Sequence, residues 1–351
     1  MNKKVLWGIA PLALGMALAG CGGNSGSEGG EKAAAGTTGN TTANSGADLS
    51  SLSGAIKIDG SSTVEPISAA IAEGFNGSAS KVNISVAASG TGGGLKKFAK
   101  GEIDIAGASR PMKSKEADEA KKNKIEYLEL PVAYDGLSVV VNPKNTWAKS
   151  LTTAELKKIW GAGSKVNNWS QVRAGFPNKP LKLYGPGTAS GTFDYFSEEI
   201  LGKDEKSRAD YNASEDDNTL VKGVSSDEGA LGYFGFAYYE DNAAKLKLVA
   251  VDNGKGAVAP SKETIISGSY APLSRPLFIY VNRKAMDKPE VAAFVDYYLN
   301  TVKEIVGTVG YVPLPDAVYD AVKARRTAKT VGSAYTNAAD GATLETLYGA
   351  K

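Results

Sequence analysis

Three segments of this 351-residue chain carry hydroxyls and glycines in an order suited to gripping a small anion. They are Asp59-Gly60-Ser61-Ser62-Thr63, Ser89-Gly90-Thr91-Gly92-Gly93-Gly94 and Gly187-Thr188-Ala189-Ser190-Gly191-Thr192. Each follows an apolar run of strand character and opens a stretch of helical periodicity. A helix start leaves backbone N–H groups without internal acceptors and carries a partial positive charge. Glycine lets that backbone approach a ligand closely, and Ser and Thr add hydroxyl donors. A single loop of this kind is an ordinary capped helix. Three of them point to one shared oxyanion site, with Ser62, Thr63, Ser89, Thr91, Ser190, Gly191 and Thr192 as its candidates. None of the loops continues into the Gly-Lys-Ser/Thr of a Walker sequence, and Gly90-Thr91-Gly92 lacks the acidic partner of a dinucleotide fingerprint.

Two charged residues extend the set. Arg110, in Ala108-Ser109-Arg110-Pro111, stands at a strand end and could fork onto two anion oxygens. Otherwise it is a solvated surface arginine. Asp135, in Ala133-Tyr134-Asp135-Gly136, reads as a turn former beside glycine. Alternatively it accepts the proton of a protonated oxyanion, which a fully ionised sulfate could not supply. The chain has no histidine, which removes histidine-based nucleophilic catalysis and histidine metal sites. No metal ligand set and no cofactor are expected.

The beginning of the chain reads as a leader. Lys3 and Lys4 precede an apolar run, Val5 to Leu18, too short to span a membrane stably. Leu18-Ala19-Gly20 then meets Cys21, the sole cysteine. This pattern looks like a bacterial lipobox, with residues 1–20 removed and Cys21 lipidated. Residues 21–54 are mostly Gly, Ser, Thr, Ala and Asn. They cannot offset their ordering entropy by burial and read as a flexible tether. Lys3 and Lys4 are the only charges of the leader, so the mature chain holds 38 basic and 38 acidic residues. This balance argues against nucleic-acid binding. An anion would have to be held by a local site.

The elements that must position the loops alternate between strand and helix. Residues 55–58, 82–86, 103–106 and 137–141 read as strands. Val64, Ile67, Ile71 and Phe75 share one helix face, and residues 113–124 form a polar helix. After Asn142 the pattern restarts, with strands at 181–184, 230–234, 246–251 and 277–281 and helices at 192–201 and 289–299. Alternation of this kind predicts an α/β fold with a mostly parallel sheet. Val141-Asn142 and Val281-Asn282 are expected to be neighbours where the chain crosses between lobes. The division is residues 55–142 plus 277–351 for lobe 1 and 143–276 for lobe 2.

From about Ile56 to Leu314 the chain resembles the periplasmic phosphate-binding proteins of the high-affinity ABC phosphate importer, the PstS family. The resemblance rests on Asp59 through Ile67, Ser89 through Gly94, Gly101 through Pro111, and Ser190-Gly191-Thr192-Phe193. It implies a two-lobed type II periplasmic-binding-protein fold with a hinge of crossing strands, closing around one inorganic phosphate. Carried over by position, Ser62, Thr63, Thr91 and Ser89 would bind from one lobe and Ser190, Gly191 and Thr192 from the other. The best-known members have aspartate where Arg110 stands and arginine where Pro186 stands. The arginine is therefore expected to have changed lobes, with Asp135 as the replacement carboxylate. The resemblance further implies a non-enzymatic monomer in the periplasm or at the cell surface, lipid-anchored at Cys21 and partnered by the transmembrane subunits of a permease. The alternatives are capture of sulfate or molybdate, or a phosphatase on the same scaffold.

Overall fold

The computed structural model describes residues 49–349 apart from Ala189, Lys203, Asp204, Asp340 and Gly341. The leader, Cys21 and the tether up to residue 48 lie outside these residues. Gly46–Lys351 forms one compact unit. Its strands are β1 (Gly54–Gly60), β2 (Val82–Ala87), β3 (Ile105–Ala108), β4 (Tyr127–Val141), β5 (Ser150–Thr152), β6 (Lys182–Gly185), β7 (Asn212–Ala213), β8 (Ala230–Gly235), β9 (Lys247–Leu248), β10 (Ala250–Asp252), β11 (Ala257–Val258) and β12 (Ser274–Asn282). The main sheet runs β2-β1-β3-β12-β4-β8-β6-β7, with β9 also on β4, and β11-β10-β5 form a small second sheet.

The α-helices are α1 (Glu65–Asn76), α2 (Thr91–Ala99), α3 (Ser114–Lys122), α4 (Thr153–Trp160), α5 (Gly191–Phe196), α6 (Asp217–Ser226), α7 (Phe236–Asp241), α8 (Lys262–Ile266), α9 (Pro289–Thr308), α10 (Asp316–Thr327) and α11 (Leu344–Leu347). A π turn, Ser197–Leu201, prolongs α5. β1 lies parallel to both β2 and β3, and α1 and α2 are the connections between them. α1 buries Ile67, Ile71 and Phe75, the face that its spacing predicts, and opens with Pro66, whose missing N–H is spare in a first turn. Phe75 meets Phe294 and Tyr297 of α9 edge-on, with ring centroids 5.4 Å and 5.5 Å away. α9, near the C-terminus, thus returns to pack on the first lobe.

β4 is where sequence pattern and structure part. The expected strand at 137–141 is only the last third of a 15-residue strand buried along its whole length. At about 3.3 Å per residue it spans roughly 50 Å, enough to cross both lobes. Tyr127 to Gly136 pair antiparallel with β12, whereas Leu137 to Val141 pair with β8. Val281 accordingly lies opposite Leu128 and Asn282 opposite Tyr127, so the expected Val141–Val281 neighbourhood is corrected. The chain crosses where Asp135 faces Arg275 and Gly136 faces Ser274. Asp135 is thus a mid-strand residue and not a turn former. Pro131 and Gly136 disguised the strand, because both residues are ordinarily strand breakers. Pro131 sits at the β-bulge opposite Phe278, where ladder hydrogen bonding is already interrupted.

Close backbone packing draws the loop ends together. A Cβ on Gly94, in α2, would lie 2.9 Å from Gly60 N and 2.8 Å from the Asp59 carbonyl oxygen. The N-terminal turns of α2 can therefore sit directly against the end of β1. In an ordinary helix Gly→Ala gains about 1 kcal/mol. Here the methyl has no room, so Gly94→Ala is expected to lose about 1–3 kcal/mol instead. Urea unfolding decides between the two signs.

Candidate functional site

A cavity of about 390 Å³ lies where the C-terminal ends of β1 and β3 meet α2 and α5. Its first-lobe wall is built from Ser61, Ser62 and Thr63 after β1, Gly90 to Gly92 at the start of α2, and Ser109 and Arg110 after β3. Its second-lobe wall is Asp194, Tyr195, Glu198 and Glu199, and Arg275 of β12 closes the back. The helix geometry of α2 leaves the N–H groups of its first turn without intrahelical acceptors, at the edge of this cavity.

Asp59 fixes the first-lobe loops. Its buried carboxylate accepts Gly60 N (2.7 Å) and Ser89 N (2.9 Å) and is bridged by the Lys97 ammonium. Burial works to raise this carboxyl, but Lys97 and the two N–H groups outweigh it and hold it below the usual range. Around it, Ser61 Oγ accepts Thr63 N (3.2 Å), and Thr91 Oγ1 accepts Ser109 N (3.1 Å). The loop after β3 is held from below as well. Met112 N donates to Tyr280 Oη (2.8 Å), which lies 2.9 Å from the Glu129 carboxylate.

The candidates fall into distinct places. Ser62, Thr63, Thr91 and Arg110 line the cavity. Ser89 spends its N–H on Asp59 and is exposed outside the cavity. Ser190 caps α5, its Oγ accepting Thr192 N (3.1 Å). Gly191 presses on the other lobe, for a Cβ there would lie 2.8 Å from Thr63 N. Arg110 lines the wall, but its fork is filled by Glu116, with Nη1 to Oε2 at 2.9 Å and Nη2 to Oε1 at 2.7 Å. That pair raises the guanidinium further and, against the opposing effect of burial, lowers the Glu116 carboxyl.

Asp135 lies behind the cavity, 1% exposed, and receives Arg275 Nε at 3.2 Å. Burial, only partly countered by Arg275, lifts its carboxyl above the usual range. Arg275 is the residue that the sequence reading passed over. Its Nη2 donates to Thr63 Oγ1 (2.9 Å), its guanidinium stacks 3.4 Å from the Tyr195 ring centroid, and it faces the cavity. One side chain therefore touches the first-lobe loop, the hinge carboxylate and a second-lobe helix. A signal existed, since Ser274-Arg275-Pro276 repeats the Ser109-Arg110-Pro111 tripeptide at a second strand end. Asp194 is the other omission. It lies at the cavity mouth and accepts Ser62 Oγ at 3.2 Å across the two lobes. Beside it, burial and Glu198 raise the Glu199 carboxyl, with Arg275 opposing.

Two lobes joined by crossing strands, with hydroxyl loops and a cation converging between them, define a solute-binding protein of the type II fold. Residues 32–301 match the PBP superfamily domain. The chain is 51% identical to protein SphX of Synechococcus elongatus over 80% of its own length and 83% of that protein. It is 36% identical to phosphate-binding protein PstS of Staphylococcus epidermidis over 91% of both. Among solved structures, a possible phosphate-binding protein from Planctomyces limnophilus superposes with a TM-score of 0.77 at 52% identity, covering 80% of this chain and all of that one. A phosphate-bound putative ABC transporter substrate-binding protein from Clostridium perfringens gives 0.51 at 27% identity, over 75% of this chain and all of that one. The chain belongs to the PstS family of phosphate-binding proteins.

Two outcomes follow from this geometry. Gly191→Ala should force the lobes apart without unfolding either, weakening anion binding by about tenfold, a shift equivalent to 1.4 kcal/mol. Titration calorimetry beside a thermal melt checks this. Asp135 has a folded pKa above its unfolded value of about 3.9. Its contribution to stability is therefore present at low pH and lost as pH rises through the folded value. Asp135→Asn should thus gain stability relative to the parent as pH is raised from about 4 to 7, in urea unfolding at both ends.

Proposed function

We propose that the chain captures inorganic phosphate outside the cytoplasm and hands it to the transmembrane subunits of an ABC permease. The observation that carries this reading is Arg275, which touches both lobes and the cavity at once. An anion drawn to that guanidinium gains contacts from both walls only when the cleft is closed. That difference is what a ligand needs to shift the open–closed balance. Ser62, Thr63 and Thr91 supply the donors, with the free N–H groups of the α2 first turn. Arg110 acts beside them as a secondary cation already partnered by Glu116. Ser190, Gly191 and Thr192 lie outside the cavity lining and open the helix that carries its second-lobe wall. The lobe division belongs at the Gly136–Leu137 and Ser274 crossings.

Asp194 is the proposed selector. A dianion without protons would meet the carboxylates of Asp194, Glu198 and Glu199 unpaired. A phosphate that still carries a proton can donate it to one of them. Asp135, turned toward the back of Arg275, tunes that cation and does not face the ligand. No catalytic role is proposed, because no histidine exists and the described residues hold no carboxylate or cysteine cluster suited to a metal. Among the described residues no helix is long and apolar enough to cross a membrane. Cys21 and the polar stretch after it are read as a lipid anchor and tether, and the chain as a monomer.

Calorimetric titration of Gly46–Lys351, stripped of ligand, with phosphate and then sulfate tests the reading. Tight one-to-one phosphate binding without sulfate heat is expected, and absence of both heats sinks it. Asp194→Asn should then admit sulfate while retaining phosphate. A variant that still excludes sulfate removes Asp194 from selection.

A further inference from the structure

The end of the first lobe farthest from the anion cavity carries a groove of about 920 Å³. Its location follows from strand direction. β1 ends at the cavity with Gly60. β3 is parallel to β1, β12 antiparallel to β3, and β4 antiparallel to β12. β4 therefore runs the same way as β1, and Tyr127 at its start marks the opposite end, where it lines the groove.

Lys121 of α3, Lys124, Arg283 and Lys284 surround this groove. Arg283 is matched by Asp287 at 2.9 Å, and Lys329 adds its charge beside the same carboxylate. Lys121, Lys124, Lys284 and Lys329 are all exposed. Asp118 and Glu126 offset only part of them. Val331, 46% exposed, projects in the same groove, the one large apolar side chain so exposed among the described residues.

The chain enters the lobe at this end. Gly54, the first residue of β1, is packed so closely on α9 that a Cβ there would overlap the Glu290 carboxylate. Asp287, three residues before Glu290, lines the groove. The start of β1 therefore lies at the same end of the lobe as the groove.

We propose that this lysine-ringed groove rests on an anionic membrane surface, with Val331 reaching into the headgroup layer; the proposal rests on reading the N-terminal segment as a membrane tether. Cationic side chains next to an anionic leaflet are attracted over about a Debye length, and each adds to the others. Few are present, so free adsorption is modest and shows only with lipid in large excess. A tether anchored in the same surface raises the local concentration enough to make weak adsorption count. The resting protein then lies groove-down, with its anion cavity turned away from the bilayer toward arriving solute.

The test uses Gly46–Lys351, which carries every described element, so that no lipid contributes. It is sedimented with phosphatidylcholine vesicles and with vesicles in which a quarter of the lipid is phosphatidylglycerol. Binding to the anionic vesicles alone, fading as salt is raised, is expected. Lys121→Glu/Lys124→Glu/Lys284→Glu should weaken it on the order of tenfold or more, with phosphate titration unchanged. Equal binding to both vesicle types, no binding to either, or a triple variant that binds like the parent would overturn the proposal. Failure of the phosphate reading would show separately, as missing phosphate heat in the parent protein.

Discussion

The guanidinium of Arg275 is the point on which the site depends. A cation at the back of a closed cleft is costly unless its charge is answered, because burial penalises ions that lack partners. Asp135 answers it from the facing strand, Tyr195 offers a π face, and Thr63 accepts one N–H. The side chain is only 14% exposed and lines the cavity. Because Asp135 and Arg275 lie opposite each other where β4 changes partners, the charge that would attract an anion is mounted on the hinge itself. Hinge and candidate site are one structural unit here.

The first-lobe donors are held in place by the protein's own side chains. Asp59 gathers the loop after β1, the loop after β2 and the body of α2 around one carboxylate. Gly60 and Gly94 let those backbones touch, and the Thr91–Ser109 bond joins the third loop to the second. Donors held in this way need little reordering on binding, so less affinity is lost to entropy.

Local chemistry was legible in the sequence. Hydroxyl and glycine loops before helices announce themselves through residue type, and Ser62, Thr63 and Thr91 line the cavity. Alternating apolar runs gave the α/β class. What stayed hidden required partners distant along the chain. Nothing near Asp135 reveals Arg275, 140 residues later. Arg110 was legible as a strand-end cation, yet Glu116, brought back by the first turn of α3, occupies its fork. The helix expected at 192–201 carries Phe193, Phe196 and Ile200 on its apolar side; Phe196 and Ile200 are buried and Phe193 only partly so. Its other side presents Asp194 and Glu198, four residues apart, to the cavity. An apolar stripe predicts what a helix buries, and the opposite stripe shows what it offers to a ligand.

The two lobes also hold each other directly. Ser62 reaches Asp194, Gly191 lies against Thr63, and Tyr195 stacks on Arg275. Contacts of this kind favour closure whether or not a ligand is bound, and the stronger they are, the more often an empty molecule would shut. An empty closed molecule presents the same outline as a loaded one and can occupy a receptor to no purpose. The strength of these lobe-to-lobe contacts therefore sets a compromise between holding cargo firmly and idling as a competitor of the loaded form.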